Sequence, residues 1–147
     1  MHLKVKRLTE TATIPTYATD GSACFDLYAD CGDLAVAHQS QFQSVVIKTG
    51  LAFDIPKGWV MQIFGRSGLA FSKDIRLANC TGIIDSDYRG EVAVKLTRDS
   101  AENMTPVKHG DRVAQAMLVP VEQVNLVEVY ELSETHRGDG GFGSTGE

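Results

Sequence analysis

Apolar positions along this chain come in short runs of β type set apart by turn-forming residues, with little sustained 3.6-residue periodicity. Residues 45–55 (VVIKTGLAFDI) are broken at Thr49-Gly50. Pro56-Lys57-Gly58 then makes a turn ahead of residues 59–64 (WVMQIF), and this arrangement predicts a hairpin. Residues 91–97 (EVAVKLT) alternate apolar and polar side chains, as a strand with one buried face requires. Residues 112–119 (RVAQAMLV) and 125–131 (NLVEVYE) read as two more strands. The helical candidate, residues 67–73 (SGLAFSK), is entered through a serine suited to an N-cap. Many short strands and one brief helix predict an all-β domain built as a sandwich or barrel.

Composition narrows the class further. A chain of 147 residues is long enough for one domain with its own core, predicted over residues 1–135, with a glycine-rich arm over 136–147. Hydrophobic residues at 43% and charged residues at 22% are globular values, and no apolar run reaches the roughly 18–20 residues of a membrane helix. The start, MHLKVKRLTE, lacks the apolar stretch of a signal peptide. Cys24, Cys31 and Cys80 are odd in number and lack zinc-type spacing, which fits reduced thiols in the cytoplasm. A net charge of -5 argues against a protein that grips a nucleic-acid polymer, whereas a small anion needs only a local cluster of arginines. His2, His38, His109 and His136 are scattered and read as surface histidines.

Five segments carry polar residues in chemically suggestive patterns. Residues 137–146 (RGDGGFGSTG) set five glycines beside Arg137, Phe142, Ser144 and Thr145. Open amides, a guanidinium and two hydroxyls suit phosphate oxygens, and the ring suits a stacked base; a disordered tail has the same composition. Residues 79–92 (NCTGIIDSDYRGEV) run an apolar strand into Asp85 and a polar turn. Such a carboxylate at the mouth of a hairpin can orient a water and hold a sugar hydroxyl, or Asp85 and Asp87 simply close an Asx-type turn. Residues 65–70 (GRSGLA) put Arg66 and Ser67 at a helix start, where an anion is favoured or where Arg66 points to solvent. Residues 110–115 (GDRVAQ) place Asp111, Arg112 and Gln115 at a strand start, with a turn and a surface ion pair as the common alternative. Residues 22–29 (SACFDLYA) set Asp26 among apolar neighbours, where a carboxylate needs a cation, an arginine or a metal-bound water.

In this order the five segments resemble the motifs of the homotrimeric dUTPase family, the dUTP nucleotidohydrolases, over nearly the whole chain. The third (79–92) and fifth (137–146) are the specific ones. The resemblance implies a distorted jelly-roll β-barrel and a homotrimer with shared active sites. It implies hydrolysis of dUTP to dUMP and pyrophosphate by water attack at the α-phosphorus, which limits uracil in DNA and supplies dUMP. Asp85 would be the catalytic base and meet the 3'-hydroxyl, and Tyr88 would pack under the deoxyribose and exclude a 2'-hydroxyl. The hairpin from Asn79 through Gly82 to Tyr88 would read uracil through backbone groups. Arg66, Ser67, Gly68 and Gln115 would hold the triphosphate, and Asp26 would meet Mg2+ through water. The arm would close over the site, with Phe142 on the uracil and Arg137, Gly143, Ser144 and Thr145 toward the phosphates. Cys24 and Gly65 depart from the pattern, standing where the family usually has a glycine and a proline.

Other classes share parts of this pattern. A dCTP deaminase has a similar scaffold but relies on a glutamate at the base ring, and Glu91 lies beyond the turn. A non-enzymatic trimeric module would keep the scaffold after losing chemistry, yet every polar residue expected to act is present. The GxxxxGK[ST] loop of a P-loop NTPase is absent.

Overall fold

The computed structural model describes residues 1–32, 44–100, 107–142 and 144. Alternation becomes layers in three antiparallel sheets. β1 (Lys4–Arg7) pairs with β5 (Leu51–Asp54). A five-stranded sheet runs in the order β2 (Thr16–Tyr17), β3 (Phe25–Tyr28), β10 (Arg112–Pro120), β6 (Trp59–Phe64) and β8 (Thr81–Ile84). The third sheet is β4 (Ser44–Lys48), β9 (Ala93–Arg98) and β7 (Ile75–Leu77). The helix α1 (Ser67–Lys73) connects β6 to β7.

The period of two sets the core. Val94 and Leu96 of β9 point inward while Ala93 and Lys95 face out, and Met61 and Ile63 do the same for β6. They meet Leu27, Ile47, Leu51, Ile55, Leu77 and Val113 in one cluster of nearly inaccessible side chains. Each large aliphatic side chain buried this way contributes about 1.5–3 kcal/mol, which holds the sheets together as the distorted jelly-roll expected. Thr49-Gly50 does separate β4 from β5. Gly50 adopts φ 65, and a Cβ there would stand 2.6 Å from Thr9 Oγ1 and 2.8 Å from Ala12 Cβ, so a larger residue is excluded twice over.

Three sequence expectations are corrected. The turn at residues 56–59 forms, with Trp59 N–H donating to the Pro56 carbonyl at 3.1 Å, but the strands it joins do not pair: β5 ladders with β1, and β6 with β8 and β10. Pairing follows the burial of both strands' inner faces, which a tight turn alone does not dictate. Residues 125–131 form no strand; they are exposed throughout and pair with no strand among the described residues. Ser67 is the first helical residue and not the N-cap. That place belongs to Arg66, in extended conformation, whose carbonyl takes the N–H groups of Leu69 and Ala70 without any side-chain cap. Among the described residues no helix is long and apolar enough to cross a membrane.

Candidate active site

The central strands of the large sheet carry the first constellation. Asp26 on β3 is 7% exposed, and both its oxygens are engaged: Arg66 Nε donates to Oδ1 at 3.0 Å and Arg112 Nη1 to Oδ2 at 3.2 Å. Gln115 faces Asp26 across the ladder and donates from Nε2 to the Gly65 carbonyl at 2.9 Å. A carboxylate this buried requires such pairing, and two guanidinium groups supply it. Burial and then the nearby Asp26 carboxylate push the Cys24 thiol above its ordinary value, so the cysteine at this departure from the family pattern stays protonated at neutral pH.

Arg112 is the residue that sequence reasoning passed over as half of a surface pair with Asp111. Asp111 instead caps its own turn, accepting the Lys108 N–H at 2.8 Å, while Arg112 turns to Asp26. Residues three apart on a regular strand face opposite ways, so Arg112 and Gln115 should not meet the same partner region. The register between β10 and β3 shifts between Arg112 and Ala114, and this bulge at Val113 brings Arg112 onto the Asp26 carboxylate while Gln115 stays directly opposite Asp26 in the ladder. Nothing in the one-dimensional pattern announces a bulge there.

The second constellation lies elsewhere. Asp85 follows β8 and is exposed; its carbonyl accepts the Tyr88 N–H at 3.2 Å and closes a turn over residues 85–88. The Tyr88 hydroxyl donates to the Glu91 carbonyl at 3.0 Å, and its ring lies against Gly90, where a Cβ would stand 2.6 Å from Tyr88 Cζ. Asp85 lines a broad groove of about 990 Å³ with Lys57, Trp59, Gln62, Ile83 and Gln123. Asn79 and Gly82 line a cleft of about 430 Å³ that shares Ile83 with it. The expected hairpin over residues 79–88 is not a paired one, since β8 ladders with β6 and β7 with β9.

One chain does not unite these groups. Phe64 pairs with Thr81 and Met61 with Ile84, so Arg66 overhangs one end of the β6–β8 ladder and Asp85 overhangs the other, level with Val60. At about 3.3 Å per residue, the six positions from Val60 to Arg66 amount to roughly 20 Å. Ser67 and Gly68 continue from Arg66 into α1 and sit at its end. Arg137 Nε donates to the Gly140 carbonyl at 2.7 Å, Phe142 is fully exposed, and the Ser144 N–H bonds to the Gly141 carbonyl at 3.0 Å, so these bonds run between neighbours within the arm. Gly143 and Thr145 lie outside the described residues.

Among the described residues no three His, Cys, Asp or Glu side chains converge into a metal cage. Each Asp26 oxygen accepts one guanidinium hydrogen and keeps another lone pair. Such a donor set fits Mg2+ carried mainly by phosphate oxygens and water, with Asp26 accepting from a metal-bound water.

The family model described as dUTPase matches residues 10–146. The deoxyuridine 5'-triphosphate nucleotidohydrolase of Hydrogenobaculum sp. (strain Y04AAS1) is 46% identical over 146 residues, covering 99% of each chain. That of Nautilia profundicola is 47% identical over 147 residues and 100% of both chains. Among solved structures, the dUTPase of Staphylococcus bacteriophage 80alpha with dUPNHPP superposes with a TM-score of 0.81 at 25% identity, covering 99% of each chain. With two full-length relatives, a family match from residue 10 to residue 146 and a shared fold, this chain belongs to the dUTPase family.

Proposed function

We propose that the protein hydrolyses dUTP to dUMP and pyrophosphate, in the cytoplasm, as a homotrimer whose active sites are each assembled from more than one copy. The observation that carries this reading is the division of the polar residues into two half-sites. Arg66, Arg112, Gln115 and Asp26 make a cationic, hydrogen-bonding floor suited to a triphosphate, and Asp85 and Tyr88 stand about 20 Å away along the same strands. A second copy that brings its Asp85 turn to the Arg66 end completes a site that one chain leaves open. The exposed apolar segment beyond β10, with Leu126 at 88% and Leu132 at 87% accessibility, supports association, because a lone chain leaves that surface in water.

The division of labour follows from the chemistry. Arg66, Ser67, Gly68 and Gln115 hold the phosphates and orient the α-phosphorus for in-line attack. The Asp85 carboxylate, exposed and ready to accept, takes the proton of the attacking water. Bound Mg2+ neutralises phosphate charge, with Asp26 holding one of its waters. Asn79 and Gly82 line the uracil cleft, and Tyr88 sits under the deoxyribose. Residues 136–147 act as an arm that closes over the occupied site, bringing Phe142 to the base and Arg137, Gly143, Ser144 and Thr145 to the phosphates, and so excludes water.

Steady-state assay of dUTP, dCTP, dTTP and UTP with Mg2+ tests base and sugar selectivity together. Pyrophosphate release from dUTP alone is the expected result. Nucleotide binding without release would reject hydrolysis, and ammonia from dCTP would point to a deaminase.

A further inference from the structure

The turn that carries Asp85 is held by a side chain to which the reading above assigns no role. Arg89 curls back over residues 85–88: its Nη1 donates to the Ser86 carbonyl at 2.7 Å and to the Tyr88 carbonyl at 3.0 Å. Its Nη2 donates to Asp54 Oδ1 at 2.6 Å, and Lys4 Nζ meets Asp54 Oδ2 at 3.0 Å. Lys4 and Asp54 are directly opposed in the β1–β5 ladder. The turn is thus tied by one planar fork to the second sheet, at two carbonyls that bracket Asp87.

Stability does not account for this arrangement. The Arg89 and Asp54 side chains are 54% and 42% exposed, and ion pairs this open contribute little to folding. What the fork does control is shape. A four-residue turn with one internal backbone bond, Tyr88 N–H to the Asp85 carbonyl, has freedom to rotate its central peptides. Two added bonds from a single guanidinium restrict that freedom: the one to Ser86 holds the central peptide between Asp85 and Tyr88, and the one to Tyr88 holds the peptide that follows its Cα. At the other side, the Tyr88 hydroxyl bonds to the carbonyl of Glu91, whose carboxylate takes the Gly50 N–H at 3.0 Å and Lys48 Nζ at 3.1 Å. Tyr88 is therefore fixed at its tip by Glu91 and at its backbone by Arg89.

We propose that Arg89, anchored on Asp54, is a positioning residue that sets the spacing between the Asp85 carboxylate and the Tyr88 ring, and through it the preference for a deoxyribose over a ribose. The inference rests on the roles proposed above for Asp85 and Tyr88. Arg89 touches neither substrate nor the reacting water; it acts through the two carbonyls.

Arg89→Lys tests it, because lysine keeps the charge for Asp54 and loses the fork. Asp54→Asn tests the other end and leaves Arg89 itself intact. Full-length variants are assayed with dUTP and UTP, and melted in parallel. Arg89→Lys is expected to lower kcat for dUTP about 10- to 100-fold, since misplacement on the scale of 1 Å costs that much. It is expected to narrow the dUTP-to-UTP ratio of kcat/KM about tenfold, with the melting temperature nearly native. Asp54→Asn should move both quantities the same way, by less. Native kcat and native selectivity in both variants would overturn the proposal, as would a lowered melting temperature with an unchanged ratio. Should Arg89→Lys fail to fold, Asp54→Asn decides alone. Asp85→Asn separates the two readings: if it keeps native turnover the base is wrongly assigned, while the sugar ratio still judges Arg89.

Discussion

Arg66 and Asp85 overhang opposite ends of the same two-strand ladder, with Phe64 paired to Thr81 at one end and Met61 to Ile84 at the other. Arg66 is committed by its ion pair to Asp26 in the middle of the sheet, whereas the Asp85 turn is tied to the β1–β5 layer through Arg89. Neither can reach the other without unmaking β6 or β8.

Complementation follows from that separation. Asp85→Asn and Arg66→Ala proteins should each lose about 100-fold or more in kcat; the first keeps its stability because Asp85 is exposed, and the second melts lower but stays folded on the Arg112 bond that Asp26 retains. Unfolded together, mixed equally and refolded, they should regain activity at about a quarter of the sites, the share that draws its aspartate from one variant and its arginine from the other. An inactive mixture of well-folded trimers would place both residues in one chain's site.

Removal of residues 137–147 should change stability by about 0.5 kcal/mol or less, since the described part of the arm buries nothing in the core. The same truncation should cut kcat/KM for dUTP about tenfold or more, because closure and its phosphate contacts are lost. Thermal melting and a pyrophosphate assay read the two effects separately. A truncated protein as fast as the full chain would sink the closure model.

Asp30 ties the N-terminal segment to the barrel. It accepts from Thr11 Oγ1 at 2.6 Å and from the Thr9 hydroxyl, with His109 Nδ1 at 3.4 Å from Oδ1. Burial pushes its carboxyl up, but the two hydroxyls and His109 outweigh burial and hold it below its ordinary value. A depressed carboxyl contributes stability that is present above the unfolded value of about 3.9 and is lost as pH falls through the lower folded value. The melting temperature gap between wild type and Asp30→Asn should therefore shrink as the pH falls from about 5 to below about 4. A gap equally wide at pH 3 would contradict this.

The backbone at Gly65 does not require a glycine. It does not adopt positive φ, and the nearest atom to an added Cβ is the Leu77 nitrogen at 3.8 Å, an ordinary contact. Gly65→Ala should stabilise the protein by about 0.4–1 kcal/mol by restricting the unfolded chain, and should leave the Gln115 bond to the residue 65 carbonyl in place. A fall in denaturation midpoint would show a backbone demand that the contacts do not reveal.

Much of this molecule is legible residue by residue. β6 and α1 fall on residues 59–64 and 67–73, where the patterns put them, and residues 91–97 overlap β9 at Ala93–Arg98. In each case the information is local: a period of two with one face buried, or a short helical run stopped at Asp74 in left-handed conformation. Residues 125–131 show the reverse case. Their composition suits a strand, but a strand exists only with a partner, and they pair with none among the described residues. The same limit explains the unpaired hairpins, since a turn brings strands near each other without deciding which edges bond.

Local chemistry marks Asp26, Arg66, Asp85 and Gln115 only as candidates, each with an ordinary alternative; it is the order of the five segments and the resemblance it carries that give them roles. Which of them meet depended on long-range pairing. The β10–β3 register aligns Gln115 with Asp26, the bulge at Val113 delivers Arg112 to the same carboxylate, and the β6–β8 ladder sends Asp85 to the far end. Strand register is a cooperative property of facing residues far apart in the chain, so it exists only once the sheets have closed on their core.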